Sequence, residues 1–230
     1  MKNKLFILGW DNALISDVVE NKVHPSYLAM LEKTDPLLAA RWTLEDTMRM
    51  QGEQPEKIWE SFAQLQGSEK ARLAREIFYQ TYQSLPIPPL TDNALHFLRQ
   101  LNVCRYVVAV VSNKTQQILE DEIRTHKLGD LIDFAIGTTQ ATNPAANGGN
   151  RYSNSRCQLL QNAVECYPDA EEVIVITNNG YAEPAYTLGV SRYEEASAPV
   201  FDWLADELKK EMQPSAYGLI TSSDWREDSL

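Results

Sequence analysis

The chain has 230 residues, 43% of them hydrophobic and 23% charged, a globular composition that excludes disordered, fibrous and collagen-like classes. Against 32 Asp and Glu there are 21 Lys and Arg, so the formal charge is −11. That balance argues against nucleic acid or an anionic membrane as a partner, because phosphates would be repelled.

The apolar run Leu5–Trp10 opens the chain's structured part. It stops at Asp11 without a small-residue cleavage site, so it reads as a strand and not as a signal peptide. It also falls far short of the roughly 20 residues a membrane span needs. Cys104, Cys157 and Cys166 are an odd count at unrelated spacings. They fit neither a disulfide framework nor a metal site, and reduced thiols in a cytoplasmic protein are the expectation.

Three runs rich in Val and Ile, at Leu5–Leu8, Val107–Val111 and Val173–Ile176, are too short for helices and read as strands buried on both faces. From Val18 to Leu85 the apolar spacing is helical instead, with breakers at Pro25, Pro36, 52–55 and 67–68. Trp42, Trp59, Phe62, Phe78 and Tyr82 in this segment suit a core of its own, or the lining of a cleft beside it. Pro86–Pro89 marks the return. Ala94, Phe97, Leu98 and Leu101 then form a helical stripe with Thr91 or Asp92 as its N-cap. A second helix runs over 115–127, and a third carries Leu159, Leu160 and Ala163. Residues 143–154 read as a polar loop, and 214–230 as a tail. Strands alternating with helices predict an α/β fold: a Rossmann-like parallel sheet with helices on both faces, formed by 1–17 and 86–213, with an all-helical insert at 18–85.

Three segments resemble the haloacid dehalogenase superfamily. Leu5-Phe6-Ile7-Leu8-Gly9-Trp10-Asp11-Asn12-Ala13-Leu14 is similar to the family's first motif, a strand followed by Asp-x-Asp-Gly-Thr-Leu. Val110-Val111-Ser112-Asn113-Lys114 resembles the second motif, and Asn178-Asn179-Gly180 with Ala185 and Leu188-Gly189-Val190 resembles the fourth. The helical insert falls where the family places its C1-type cap. The resemblance implies phosphoryl transfer by two carboxylates, the first a nucleophile and the second a general acid and base, with acids that hold Mg²⁺ and a lysine that balances charge.

The chain departs from this pattern at every chemical position but one. Gly9 stands at the nucleophile and cannot attack, while Asp11 stands at the acid and base. The fourth-motif acids fall on Ile176 and Thr177, or on Thr177 and Asn178, and the later one on Tyr181. With no acid at positions 9, 177 and 181, no tight Mg²⁺ site is expected. The lysine position falls on Asn154 or on Asn143, both neutral. Arg151 and Arg156 lie nearby but suit a solvated surface better. A phosphate beside Asp11 would then meet repulsion.

Asp11, Asn12, Ser112, Asn113 and Arg156 remain as candidate ligand-binding residues. Ser112 and Asn113 could equally serve as turn residues capping the following helix. Asn12 and Ala13 replace the family's Gly and Thr, which fits a relaxed demand on loop geometry. His126, near a helix C-terminus, sits where a positive charge is favourable, and neither it, His24 nor His96 forms a cluster. The expected function is a haloacid dehalogenase-like pseudoenzyme, needing no cofactor, that binds a protein partner or small ligand in the cleft beside the insert. The alternative is an active Mg²⁺-dependent phosphatase acting on a small phosphomonoester.

Overall fold

The computed structural model describes residues 3–50, 55–138 and 151–212; the side chains of 55–57, 138, 151–155, 179 and 212 are not described. Asn143, the tail 214–230 and the side chains of Arg151 and Asn154 therefore lie outside the described residues. The backbone of Arg151–Asn154 is already helical, so the predicted polar loop ends sooner than expected.

Five parallel strands form one sheet in the order β3-β2-β1-β4-β5. They are β1 (Lys4–Gly9), β2 (Val107–Thr115), β3 (Phe134–Thr138), β4 (Glu172–Thr177) and β5 (Arg192–Glu195). The three predicted runs are the three central strands. The two edge strands went unpredicted, because an edge of a sheet is half solvated and carries no continuous apolar run. In β5, Arg-Tyr-Glu-Glu, Arg192 pairs with Glu194 at 2.8 Å and with Glu207 at 3.2 Å.

The alternation of β1 divides the core. Phe6, Leu8 and Trp10 join one buried cluster with Phe97, Leu101, Leu119, Ile123 and Phe201. These partners lie on α6 (Ala94–Val103), α7 (Gln116–Thr125) and α10 (Ala198–Met212). Leu5 and Ile7 join the opposite cluster with Leu159, Leu160 and Ala163 of α8 (Arg151–Cys166) and Ala185 of α9 (Ala182–Thr187). β1 thus buries both faces, as the period-2 alternation of its side chains allows.

Among the described residues between β1 and α6 lie a turn of π-helix at Val19–Val23 and five helices: α1 (His24–Thr34), α2 (Pro36–Ala39), α3 (Leu44–Arg49), α4 (Pro55–Gln66) and α5 (Ser68–Ser84). Pro25 and Pro36 sit in the first turns of α1 and α2, where a missing N–H costs nothing. Thr43 and Asp46 close a reciprocal capping box on α3. Trp59 and Phe78 pack with Tyr27, Met30, Leu31 and Ala74 into a third cluster, with Trp42, Phe62 and Tyr82 against it. Val18 packs with the sheet instead.

Two capping expectations are corrected. The residue preceding α6 is Asn93, held at φ 66°, and neither Thr91 nor Asp92 caps the helix. The Thr91 hydroxyl instead donates to the Ala13 carbonyl at 2.5 Å, tying the return segment to the loop after β1. Ser112 and Asn113 do not cap α7 either, because β2 continues to Thr115, which precedes that helix. The three cysteines are free thiols. Among the described residues, no helix is long and apolar enough to cross a membrane.

Candidate functional site

The chain leaves β1 at the middle of the sheet, builds outward through β2 and β3, then returns to add β4 on the other side of β1. The direction of winding reverses between β1 and β4, and open α/β sheets bind ligands outside the strand ends at such a reversal. Gly9 and Thr177 end central strands, Asp11 and Asn178 follow them, and Ser112 lies in the last part of β2.

The loop after β1 is tightly built. Leu14 N–H donates to the Gly9 carbonyl and Ile15 N–H to the Trp10 carbonyl. Asn12 lies at φ 53°. Asparagine is among the few side chains that tolerate this left-handed backbone, so the loop keeps its geometric demand and the expected relaxation does not occur. Gly9 packs closely: a Cβ there would sit 3.1 Å from Thr177 Cβ and 3.2 Å from Ala13 Cβ.

Asp11 is part-buried, and Lys114 Nζ stands 2.7 Å from its Oδ1. Burial raises the Asp11 carboxyl above its ordinary range, and the Lys114 ammonium opposes that shift. Lys114 also pairs with Glu122, whose Oε2 accepts from Trp10 Nε1 at 2.6 Å. Glu122 Oε1 lies 3.6 Å from Lys22 Nζ. Lys22 and Glu122 are each 3% exposed, and the Tyr82 ring lies 4.4 Å from Lys22 Nζ and 5.8 Å from Lys114 Nζ. Burial lowers Lys22, opposed by Glu122, and pushes the Tyr82 phenol well above its ordinary value. Two ammonium groups and two carboxylates thus compensate one another.

A cation, Lys114, thus lies beside Asp11, and the repulsion of a phosphate expected there is offset. Sequence reasoning missed Lys114, Lys22 and Glu122. A usable signal existed: Glu122 shares the buried face of α7 with Leu119 and Ile123, and a carboxylate on an apolar stripe needs a buried partner.

Asn178 Nδ2 donates to the Asp11 carbonyl at 3.1 Å, and its Oδ1 accepts from Gly180 N–H at 3.2 Å. Thr177 is fully buried against Gly9, and Tyr181 is buried in the sheet's second cluster. Arg156 is half-buried, donates to the Gly180 carbonyl at 3.0 Å and lies 5.5 Å from the Tyr181 ring. It clamps the turn after β4, which corrects the expectation of a solvated arginine. Ser112 is buried, with its Oγ accepting from Lys114 N–H at 3.1 Å, and Asn113 is exposed. His126 packs beside Trp10, and burial lowers it, so the expected charged helix terminus is corrected to a ring biased toward the neutral form. His24 contacts Thr47 Oγ1 at 2.8 Å.

The donor set does not fit a divalent cation. Among the described residues, no group of three His, Cys, Asp or Glu side chains could hold one. An ammonium and an amide N–H face Asp11 where anionic oxygens would be required.

A doubly wound parallel sheet with a helical insert after β1 and a loop site at the winding reversal defines the class. The model of the haloacid dehalogenase-like hydrolase family matches residues 26–147, more than half of the 230-residue chain, and the chain belongs to that family. The match begins downstream of Gly9 and Asp11. A haloacid dehalogenase-like protein from Bacteroides fragilis shares the fold at a TM-score of 0.63 and 19% identity, over 83% of this chain and 86% of that one. A hydrolase of the same family from Streptococcus pneumoniae gives 0.63 and 13%, over 92% and 99%. A Clostridium difficile protein assigned as a phosphatase gives 0.64 and 14%, over 89% and 99%. No curated protein sequence matches the chain.

Proposed function

We propose that this member of the haloacid dehalogenase-like hydrolases has lost phosphoryl-transfer chemistry and serves as a binding, scaffold or regulatory protein. The observation that carries the reading is Gly9. A nucleophile at the end of β1 requires a side chain, and a Cβ there already crowds Thr177 and Ala13. The charge pattern supports it as well: Asp11 is neutralised internally by Lys114, and Asn178 satisfies the Asp11 carbonyl with an N–H donor. The ligand or protein partner would meet the chain at the strand ends, where Asp11, Asn12, Ser112 and Asn113 gather beside the helical insert. Neither nucleic acid nor a membrane suits the charge of −11.

An active phosphatase is the second reading. Family membership favours it, as does the Asp11–Lys114 pair, which places a carboxylate and a cation together at the winding reversal.

Hydrolysis of an aryl phosphate by the purified chain with millimolar Mg²⁺, beside Asp11→Asn, separates the two. The first reading expects no turnover above the variant. Turnover that the variant abolishes overturns it.

A further inference from the structure

The sheet ends at β5. Its order places Arg192–Glu195 at one border, paired with β4 from Ile174↔Arg192 to Thr177↔Glu195 and, among the described residues, with no strand on the other side. Such an edge presents unpaired N–H and C=O groups and is a template for a further strand. Its two faces differ. On the α10 side Arg192 bonds Glu194 at 2.8 Å and Glu207 at 3.2 Å, and its guanidinium lies 4.4 Å from the Trp203 ring. On the α9 side Tyr193 lies 6.0 Å from the Tyr186 ring, and its hydroxyl donates to the Asn178 carbonyl at 2.8 Å. The flanking aromatics both meet solvent, Tyr186 at 72% exposure and Trp203 at 43%. α10 packs on α6 through Phe201 and Phe97, whose ring centroids are 5.5 Å apart, and so leans toward the middle of the sheet rather than over its border.

We infer that β5 is the surface through which two copies of this chain pair, edge to edge and antiparallel, about a twofold axis that passes through Tyr193. The charge pattern carries the inference. Edges protected from association carry charges of one sign, which repel a second copy. This edge carries both signs, spaced evenly about Tyr193: Arg192 before it and Glu194 after it. Antiparallel pairing centred on Tyr193 sets Arg192 of each copy opposite Glu194 of the other. Residues directly opposite in a sheet share a face, and Arg192 and Glu194 do share one. The nearest registers that keep the faces matched set Arg192 against Arg192 or Glu194 against Glu194, so the charges also select the register. Tyr193 meets its counterpart on the other face, and Tyr186 and Trp203 widen the contact with exposed apolar surface. A twofold contact of this kind closes as a dimer and leaves no further edge of β5 to extend a fibre. The inference is independent of whether the strand-end site retains hydrolase activity.

Sedimentation velocity on the full chain tests it, at about 150 mM salt, where the repulsion between two chains of charge −11 is screened beyond about 8 Å. A concentration series up to about 500 μM is expected to show a reversible dimer, because a contact built on one short strand is small and associates weakly. Arg192→Glu alone and Glu194→Arg alone each set like charges opposite one another, and each should weaken the dimer by at least about tenfold. Mixed in equal amounts, the two variants set an acid opposite an arginine at both positions, and a heterodimer within about threefold of the original affinity should return. Should a single variant lose its far-UV circular dichroism, the chain carrying both substitutions keeps opposite charges opposite and should dimerise as the unaltered chain does. A chain that stays monomeric throughout the series overturns the pairing. So does a mixture, or a doubly substituted chain, that stays monomeric. A dimer indifferent to both reversals overturns it as well and assigns association to another surface.

Discussion

Lys114 holds its ammonium 2.7 Å from Asp11 Oδ1, so the acid at the winding reversal of the sheet carries its own counter-ion. The same lysine also bonds Glu122, which makes one side chain the link between the loop after β1 and the helix after β2.

Gly9 is expected to resist restoration of a side chain. Gly9→Asp sets a Cβ against Thr177 and Ala13 at contacts that a close-packed core accommodates by strain, typically about 1–3 kcal/mol. Urea melts should show that loss. Hydrolysis assays of Gly9→Asp, and of Gly9→Asp with Thr177→Asp, should show no gain over the unaltered chain. Robust turnover would show that the remaining groups still support the reaction.

Glu122→Gln leaves Lys22 and Lys114 buried with one carboxylate between them. Breaking a buried ion pair by removing one partner costs about 3–5 kcal/mol, because the charge left behind has no water to turn to. Chemical denaturation should report a loss of this size. A loss below about 1 kcal/mol would place the cluster in solvent.

Trp10→Phe keeps an aromatic ring in the core, gives up the packing of the indole's second ring and deletes the 2.6 Å bond from Nε1 to Glu122. A hydrogen bond to a charged group contributes about 1.5–3 kcal/mol, and the variant should lose about that much stability. Retention of full stability would show that Glu122 relies on its lysines alone.

The pH dependence follows from the raised Asp11 carboxyl. A folded pKa above the unfolded one favours the fold while the acid is neutral. Its contribution is fully present below the unfolded pKa and is lost as pH rises through the folded one. The melting difference between Asp11→Asn and the unaltered chain should therefore move in favour of the unaltered chain as pH falls through the carboxylate range, which calorimetric melts at a series of pH values would show. A difference independent of pH would assign it to packing.

Asn12 at φ 53° predicts a sharp side-chain preference. Asn12→Gly should be near neutral, and Asn12→Val should cost about 1–2 kcal/mol, because a β-branched side chain clashes in the left-handed region. Equal melting of the two variants would contradict the loop geometry.

Much of this architecture was legible in sequence because burial on both faces leaves its mark in composition. Leu5–Leu8, Val107–Val111 and Val173–Ile176 are apolar throughout since helices cover both sides of the central strands, and these three runs gave the parallel sheet. The helical spacing of 18–85 likewise matches the helices found between β1 and α6. What the tertiary structure decided was partnership. Edge strand β5 is polar and salt-bridged, so no apolar run betrayed it. Lys22 and Glu122 are 100 positions apart in the chain, and Lys114 sits in a motif whose lysine carries no signal of its own. Whether such charges are solvated or sealed depends on what the fold brings beside them: composition determines how much apolar surface must be buried, but only packing determines which charges are buried with it.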